Sequence, residues 1–234
     1  MYALIRTFNN EKTIRECLLS FLPYIDKVVI IDGAYERFPH KLDSGASTDE
    51  TKEICHRLCP PEQLLWVDPE KPLTEIAKNN LMLEHIPVGG WSLWIDADEI
   101  IEGEVAEAVR FVETSALQSI GIPIKNFHPI WHGYNIKYWG SHPYVDLDPP
   151  IPEEEWGKLA WKPYYGVSSR FKRRVPKLHF RGHHHRLCIG KKLIRYEVSL
   201  DNVMIINNHE KVGWERWHQK IRYKKECYLK GEWR

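Results

Sequence analysis

The stretch from Trp91 to Ile101 begins with an apolar run and ends with three carboxylates spread over four residues. The apolar run is too short for a buried helix, and short continuous apolar runs are typical of buried strands in parallel sheets. Ligands of open α/β sheets bind outside the carboxyl ends of the strands. We therefore expect Asp96 and Asp98, which follow this strand, to lie where a substrate binds.

The spacing of Asp96 and Asp98 indicates a particular kind of ligand. One residue separates the two carboxylates, so on an extended chain both side chains point to the same side. Carboxylate oxygens are hard ligands that suit Mg²⁺ or Mn²⁺, and proteins often bind these ions together with substrate phosphates. The pair predicts a site for Mn²⁺ or Mg²⁺ that carries a phosphorylated substrate.

Strands and helices alternate along the first half of the chain. Apolar runs predict buried strands at 2–7, 27–32, 63–67 and 92–95. Three amphipathic segments each predict a helix with one buried face. The three faces are Ile14, Cys17, Leu18 and Phe21; Leu73, Ile76, Ala77 and Leu81; and Val105, Ala108, Val109 and Val112. Another helix is predicted to start at Ser47, the N-cap of a capping box with Glu50. This alternation predicts an α/β fold with a doubly wound, largely parallel central sheet.

Length and charge exclude several classes of protein. A chain of 234 residues fits one domain, and a formal net charge of +1 excludes a globally basic nucleic-acid binder, so no nucleic-acid partner is expected. The five cysteines are odd in number and scattered, which indicates reduced thiols. No apolar run reaches the roughly 18 residues that span a bilayer. These features predict a cytoplasmic protein.

The second half of the chain is rich in aromatic residues. A fifth strand is predicted at 120–124, and residues 127–165 are predicted to form a long functional loop or lid. Further strands are predicted at 168–174, 178–187, 191–198 and 203–206. Most of the 10 Trp and 11 Tyr residues follow position 130, which predicts either a surface that stacks on ring-shaped ligands or the core of the lid.

The last segment, 212–234, has the pattern of a basic helix with interleaved aromatic residues. Three interpretations are open for this helix: it closes over the substrate site, it lies on an anionic membrane surface, or it is an ordinary solvated amphipathic helix. The second interpretation predicts peripheral contact with the inner face of a membrane.

In combination, the segments named above resemble the family 2 glycosyltransferases of the GT-A fold, which transfer a sugar from a nucleotide-sugar donor. The similarity spans residues 2–125, with a weaker match as far as about residue 225. The matching segments are Ala3–Glu11, Val29–Gly33, Ser47–Thr51, Ala77–Asn79 and the DxD motif Asp96–Asp98 with Glu99. The resemblance implies a GT-A (Rossmann-like) domain over 1–234, in which 1–125 bind the nucleotide-sugar and 126–234 bind the acceptor.

The resemblance also implies roles for individual residues. The residues that it implies for binding a UDP- or GDP-type donor are Thr7, Asn9, Glu11, Asp32, Lys78, Asp96 and Arg186. Asp96 would lie near the ribose, and Asp98 would be a catalytic residue that binds the divalent ion bridging the diphosphate. Such an ion neutralises the charge that develops on the leaving group without any proton transfer.

A second motif lies in the other half of the chain. Segment 169–173 followed by 180–187 resembles the family segment in which an Arg-x-Phe strand precedes Gly-x-x-His. By this match His185 completes the metal site. A glutamate commonly follows that histidine in the family, whereas this chain has Arg186, which indicates a phosphate-binding cation instead. Asp146, Asp148 and Glu154 lie in the predicted lid and are candidates for a catalytic base by this location. Of the three, Asp148 is the predicted catalytic residue.

These inferences predict a metal-dependent glycosyltransferase that acts on the hydroxyl of a glycan, a lipid-linked or a small-molecule acceptor. One alternative, a sugar-nucleotide nucleotidyltransferase, requires a glycine-rich phosphate loop after the first strand, and Arg6–Glu11 contains no glycine. The other alternative is a non-catalytic carbohydrate- or nucleic-acid-binding protein that uses the aromatic half. That alternative leaves the carboxylates at the strand ends without a role.

Overall fold

The fold is taken from a computed structural model, which describes residues 1–36, 45–130, 136–139, 142–145, 160–180, 187–189, 192–193 and 196–207. The helices in these ranges are α1 (Ile14–Phe21), a 3₁₀ turn (Leu22–Tyr24), α2 (Thr51–Leu58), α3 (Glu75–Glu84) and α4 (Val105–Thr114). The strands of the first half are β1 (Tyr2–Arg6), β2 (Lys27–Ile31), β3 (Leu64–Val67), β4 (Trp91–Trp94), β5 (Glu99–Gly103) and β6 (Ser119–Ile130). The later strands are β7 (Ile136–Trp139), β8 (His142–Val145), β9 (Ala160–Arg173), β10 (Leu178–Phe180), β11 (Leu187–Ile189), β12 (Lys192–Leu193), β13 (Val198–Ser199) and β14 (Val203–Asn207).

One sheet organises most of these strands, in the order β3-β2-β1-β4-β9-β6-β14-β5, with β13 paired to β6. Strands β3, β2, β1 and β4 are mutually parallel, and β6 is parallel to β13 and β14. The β4–β9, β6–β9 and β5–β14 pairs are antiparallel. Parallel pairings are therefore in the majority in the described part of this sheet. The predicted α/β fold class is confirmed, and the architecture is consistent with a Rossmann-like GT-A fold.

Both faces of the central parallel strands β1, β2 and β4 are buried along most of their length. Ala3 and Ile5 of β1 pack on the same side as α1 and α4, whereas Leu4 packs on the other side with Met82 and Leu83 of α3. Successive strand residues point to opposite faces, so a strand with helices on both sides must be apolar at every position. This is why the first half reads as continuous apolar runs. The predicted buried faces of α1 and α4 are confirmed, since the four residues predicted for each face are buried.

The predicted buried face of α3 is partly correct, since Ile76 and Leu81 are partly buried and pack against a core cluster. The fully buried residues of the helix are Glu75, Lys78, Asn79, Met82 and Leu83, whereas Leu73 precedes the helix. The helix is rotated because Glu75 pairs with Arg6 beneath it, an ion pair that apolar periodicity does not reveal. The predicted capping box is wrong, because α2 begins at Thr51 and the Ser47 hydroxyl donates to Asp32.

The predicted loop at 127–165 is partly wrong. Strands β6 and β9 form a long antiparallel pair that extends from Ser119 opposite Lys172 to Ile130 opposite Ala160. Pro123, Pro129 and Pro163 occur within these strands, and proline usually argues against a strand interior. Strand β5 was likewise not predicted, because its first residue is one of the carboxylates at the end of the apolar run.

Several predictions concern residues outside the described ranges. These include the catalytic candidate Asp148, the motif residues His185 and Arg186, and the basic helix at 212–234. In the described part of the chain, no helix is long and apolar enough to cross a membrane. The prediction of one domain over 1–234 stays a prediction.

Two glycines with positive φ allow a test of how tightly the sheet edge at the end of β5 is packed. Gly103 has φ of +103°, and a Cβ there would overlap the carbonyl oxygen of Asn202. Gly89 has φ of +90° but has nothing within 4 Å of an added Cβ. We expect Gly103→Ala to lower the free energy of unfolding by about 3 kcal/mol and Gly89→Ala by about 1 kcal/mol, measured by urea denaturation. Equal losses of unfolding free energy in the two variants would show that the β5–β14 edge shifts to accommodate the Cβ added at position 103 without destabilising the protein.

Candidate functional site

The candidate site lies where three neighbouring parallel strands end. Thr7 follows β1, Asp32 follows β2 and Asp96 lies two residues after β4. Strand β1 lies between β2 and β4, and its pairing continues past its end, since the Thr7 N–H donates to the Ile31 carbonyl at 3.1 Å. Parallel strands bring their carboxyl ends to one edge, so Asp32 and Asp96 lie at the same edge on opposite sides of Thr7.

Asp32 is held by Ser47. The Ser47 N–H donates to Asp32 Oδ2 at 2.8 Å, and the Ser47 hydroxyl donates to Asp32 Oδ1 at 2.6 Å. The Ser47 oxygen also accepts from the Asn9 N–H at 2.9 Å. Burial raises the pKa of Asp32, against the opposite effect of the Ser47 hydrogen bonds. Ser47 thus fixes the carboxylate and links it to the loop after β1.

The loop after β1 is bound to the segment before α2 along its whole length. The Asn9 side chain accepts from the Thr48 N–H at 2.8 Å, and Asn9 itself has φ of +51°, a conformation that asparagine tolerates better than most residues. The Asn10 N–H donates to Thr51 Oγ1 at 2.7 Å, and Asn10 Oδ1 accepts from the Thr7 hydroxyl at 3.2 Å. Thr7 and Asn9, which were predicted to bind the nucleotide-sugar, therefore belong to one hydrogen-bonded unit.

Glu11 lies at the exposed end of this unit. Its N–H donates to Asp49 Oδ2 at 3.0 Å, and its carboxylate accepts from the Glu50 N–H at 3.3 Å. The Glu11 side chain therefore lies beside the start of α2, on the surface of the molecule.

Lys78 is buried, with 1% of its surface exposed, although a lysine on a helix is usually solvated. Its amine donates to the carbonyl oxygens of Asp32, at 3.3 Å, and Gly33. It also lies 5.1 Å from the centre of the Tyr35 ring. Lys78 thus supports the backbone behind Asp32, and its predicted contact with phosphate stays a prediction.

A small open concavity lies beside Asp32. Its lining includes Asp32, Lys78, Asp68, Pro69 and Pro72. Concave sites with apolar walls and a few polar groups are typical of small-molecule binding. Its position at the ends of β2 and β3 separates it from Asp96.

Arg6 connects the other side of the site. Its guanidinium donates to Glu75 at 2.5 Å and to Asp96 at 2.7 Å. The Arg6 side chain is 8% exposed and that of Glu75 is 10% exposed, whereas that of Asp96 is 33% exposed. Asp96 is therefore the partner that reaches solvent.

The Asp96–Glu99 segment is a turn, so the interpretation of Asp96 and Asp98 as neighbours on an extended chain is wrong. The Glu99 N–H donates to the Asp96 carbonyl at 2.9 Å, and the Glu99 carboxylate accepts from the Asp96 N–H at 2.9 Å. Asp98, inside this turn, is 4% exposed. The Arg170 guanidinium donates to Glu99 at 2.7 Å. Burial raises the pKa of Glu99 to about 7, against the opposite effect of Arg170.

Helix α1 supports the same turn from below. The Cys17 thiol donates to the Asp96 carbonyl at 3.5 Å, and the Ser20 hydroxyl accepts from the Ile101 N–H at 3.1 Å. Burial raises the pKa of Cys17 well above its ordinary value, so this thiol stays protonated and acts as a donor. The turn is thus fixed by contacts from α1, β1 and β9.

The chemistry of the carboxylates fits a divalent ion. Mg²⁺ is commonly bound by one or two carboxylates, with substrate phosphates and water completing its coordination. Asp96 and Asp98 supply two carboxylates of this kind in the turn after β4, although the turn removes the shared side on which their pairing was predicted. The described residues contain no group of three or more His, Cys, Asp or Glu side chains that could hold a metal ion. The other predicted ligand, His185, lies outside the described ranges, as does the predicted phosphate-binding Arg186.

Sequence reasoning missed the side chains that fix the carboxylates. Arg6, Glu75 and Arg170 were not predicted as part of the site, and Ser47 was predicted as a helix cap. The signal available for Arg6 is a charged residue at the end of a buried strand, directly before the loop. A buried charge requires a partner of opposite charge, but the sequence does not show which carboxylate supplies it.

No protein-family model matches this chain, and no curated protein matches it. Among solved structures, TarS of S. aureus is similar at a TM-score of 0.42 with 22% identity, over 53% of this chain and 35% of that chain. The 2-C-methyl-D-erythritol 4-phosphate cytidylyltransferase (IspD) of Francisella tularensis is similar at a TM-score of 0.38 with 10% identity, over 74% of this chain and 71% of that chain. At these TM-scores neither similarity assigns a function to the chain. The chain spans about a third of the TarS structure.

The ion pairs of Arg6 should contribute to stability. Arg6→Met leaves the nearly buried Glu75 without its cation, so we expect the free energy of unfolding to fall by about 3 kcal/mol. The matched control is Lys52→Met, which breaks a pair with Asp68 whose side chains are 46% and 42% exposed. That change should cost less than about 1 kcal/mol. Urea denaturation measures both values, and a loss for Arg6→Met no larger than the control would contradict the buried pairing.

The hydroxyl of Ser47 should matter more than that of its neighbour. Ser47→Ala removes one donor to buried Asp32 and the acceptor of the Asn9 N–H, so we expect a loss of about 2 kcal/mol in the free energy of unfolding. Thr48→Ala, which removes an exposed hydroxyl, should cost less than about 0.5 kcal/mol. Thermal and urea unfolding of the two variants check this difference, and equal stability would refute the role given to Ser47.

Proposed function

We propose that this protein is a metal-dependent glycosyltransferase that moves a sugar from a nucleotide-diphosphate sugar to an acceptor hydroxyl. The observation that carries the proposal is the placement of Asp32 and of Asp96–Asp98 on both sides of β1, at one edge of the parallel strands. A nucleotide needs a base and ribose pocket next to a site for its phosphates. The concavity beside Asp32 suits the first, and the acidic turn suits the second.

The nucleoside end of a UDP- or GDP-type donor binds on the Asp32 side. Asp32 accepts from a ribose hydroxyl, and the loop of Thr7, Asn9 and Glu11, which does not line the concavity, forms a second wall on the other side of Ser47. Because Ser47 and Asn9 are already hydrogen-bonded to each other, this wall needs little rearrangement when the donor binds. Pre-organisation of this kind lowers the entropy cost of binding.

The diphosphate binds on the Asp96 side. Asp96 and Asp98 hold Mn²⁺ or Mg²⁺, which neutralises the charge that develops on the diphosphate as it leaves. Arg6 holds Asp96 in place, and Glu99 with Arg170 holds the turn that carries Asp98. Lys78 supports the backbone next to Asp32 from behind.

The acceptor is a hydroxyl of a glycan, a lipid-linked sugar or a small molecule. An inverting transfer requires a base that takes the proton of this hydroxyl, and Asp148 is proposed for that role. Segment 212–234 is proposed to contact the membrane surface when the acceptor is lipid-linked. Both regions lie outside the described residues.

Calorimetry tests the proposal directly. We expect UDP or GDP to bind more tightly with Mn²⁺ than without it, and Asp98→Asn to weaken the Mn²⁺-dependent binding by about tenfold or more. The matched control is Asp201→Asn, which changes an exposed aspartate before β14 and should leave this affinity unchanged. Unchanged metal-dependent affinity in Asp98→Asn would refute the metal site.

A panel of nucleotide-sugars then identifies the reaction. A glycosyltransferase slowly hydrolyses its own donor when Mn²⁺ or Mg²⁺ is present and no acceptor is supplied, so release of free sugar is the expected result. A non-catalytic binding protein would show no metal-dependent nucleotide affinity. A nucleotidyltransferase would instead join a nucleoside triphosphate to a sugar phosphate and release pyrophosphate.

A further inference from the structure

Lys172 of β9 has an unusual environment. Its side chain is 1% exposed, and its amine has no hydrogen-bond partner among the described residues. The amine lies 5.1 Å from the centre of the Trp94 ring and 5.2 Å from that of the Phe180 ring. A buried amine that contacts two aromatic rings and has no acceptor among the described residues is expensive to maintain, because its lost hydration is not replaced by hydrogen bonds.

A second buried donor lies close by on the same strand. Arg170 precedes Lys172 by two residues, at the point where the pairing of β9 with β6 shifts register in a β-bulge, and its positive charge acts on the Lys172 amine. Two of the Arg170 nitrogens donate, to Glu99 and to the Trp94 carbonyl, but Nε has no partner among the described residues. Two buried donor atoms without an acceptor among the described residues, the Lys172 amine and Arg170 Nε, therefore occur two residues apart on β9, and Arg170 also pairs with Glu99 of the acidic turn.

Burial and the neighbouring charges disfavour the protonated form of the Lys172 amine, which has no hydrogen-bond acceptor among the described residues. Burial lowers the pKa of Lys172 well below its ordinary value, and the positive charges of Arg170 and Arg6 lower it further, whereas Asp96 raises it. Native structures usually pair buried donors with protein groups or with ordered water. Water would satisfy the hydrogen bonds of a neutral amine. A phosphate oxygen would accept the same hydrogen bonds, and its negative charge would also stabilise the protonated amine, which burial disfavours.

We propose that Lys172 and Arg170 form a subsite for a phosphate group of the substrate. The proposal rests on the proposed function, since it places this group beside the Asp96–Asp98 turn. Phosphate supplies several acceptor oxygens and negative charge, which match an amine next to a guanidinium. The phosphate belongs either to the diphosphate of the donor or to the acceptor, and the chemistry of recognition is the same for both.

Phe180 is one of two described aromatic side chains that cover the Lys172 amine, and the proposal requires its ring to move when the phosphate enters. Its ring covers the Lys172 amine and lies 4.5 Å, between ring centres, from that of Trp94. The backbone of Phe180 is joined to Asn80 of α3, which accepts from the Phe180 N–H at 2.7 Å and donates to its carbonyl at 3.4 Å. A rotation of the Phe180 ring would open the subsite without breaking these two bonds.

The decisive experiment separates binding from stability. Lys172→Met keeps the length and apolar stem of the side chain but removes the unpartnered amine. If the amine exists for a ligand, its removal should leave the melting temperature unchanged or raise it by a few degrees, because sites built for ligands are commonly suboptimal for stability. Calorimetry with inorganic pyrophosphate in EDTA should at the same time show an affinity lower by about tenfold or more.

The matched control is Lys177→Met, which removes an exposed lysine and should leave pyrophosphate binding unchanged. Competition identifies the source of the phosphate: pyrophosphate displaced by UDP indicates the donor diphosphate, and pyrophosphate that binds beside saturating UDP and Mn²⁺ indicates an acceptor phosphate. Three results would overturn the proposal: equal pyrophosphate affinity in Lys172→Met and wild type, no pyrophosphate binding by the wild type, or a Lys172→Met protein that is destabilised or unfolded. The EDTA keeps this test independent of the metal site, whose failure would appear only in Asp98→Asn.

Discussion

The buried guanidinium of Arg6 is the interaction on which the acidic side of the site depends. Burial lowers the pKa of Arg6, but the charges of Tyr35, Asp96 and Glu75 outweigh it, and the pKa is raised. Arg6 is the last residue of β1, Glu75 opens α3, and Asp96 follows β4. One cation therefore joins the central strand, the helix above it and the turn that carries Asp98. Arginine suits this position because its planar fork donates to two carboxylates at once.

The orientation of α3 follows from the same ion pair. A helix that covers a sheet normally buries an apolar stripe, yet α3 buries Glu75, Lys78 and Asn79 in its first half and Met82 and Leu83 in its second. The apolar half packs on the cluster with Trp94 and Phe180, which offsets the cost of burying the charges. The helix is thus divided into a half that positions the site and a half that holds the helix on the sheet.

Local patterns predicted the parts of the fold in which one physical effect dominates. The strands β1 to β4 and the helices α1 and α4 are defined by apolar burial, so their sequences reveal them. Strand β5 could not be predicted in this way, because it begins with Glu99, whose partner Arg170 lies 71 positions away in the sequence. The β6–β9 pair was missed for a related reason, since pairing across a distant connection outweighs the unfavourable prolines. The polar contacts of the site are long-range, and local periodicity carries no information about them.

The two sides of the site hold their carboxylates by different means, and the difference determines what each can bind. Asp96 is neutralised by a guanidinium, whereas the carboxylate of Asp32 accepts from neutral donors and feels the positive charge of Lys78, whose amine donates to the Asp32 backbone carbonyl. A carboxylate offers about four positions for accepted hydrogen bonds. Ser47 fills two of them and the Gly33 backbone fills another. About one position is left, and with Asp32 only 2% exposed it is available chiefly to a ligand in the adjoining concavity. The ribose hydroxyl proposed as the partner of Asp32 fits such a position, because a hydroxyl brings a single hydrogen and no charge.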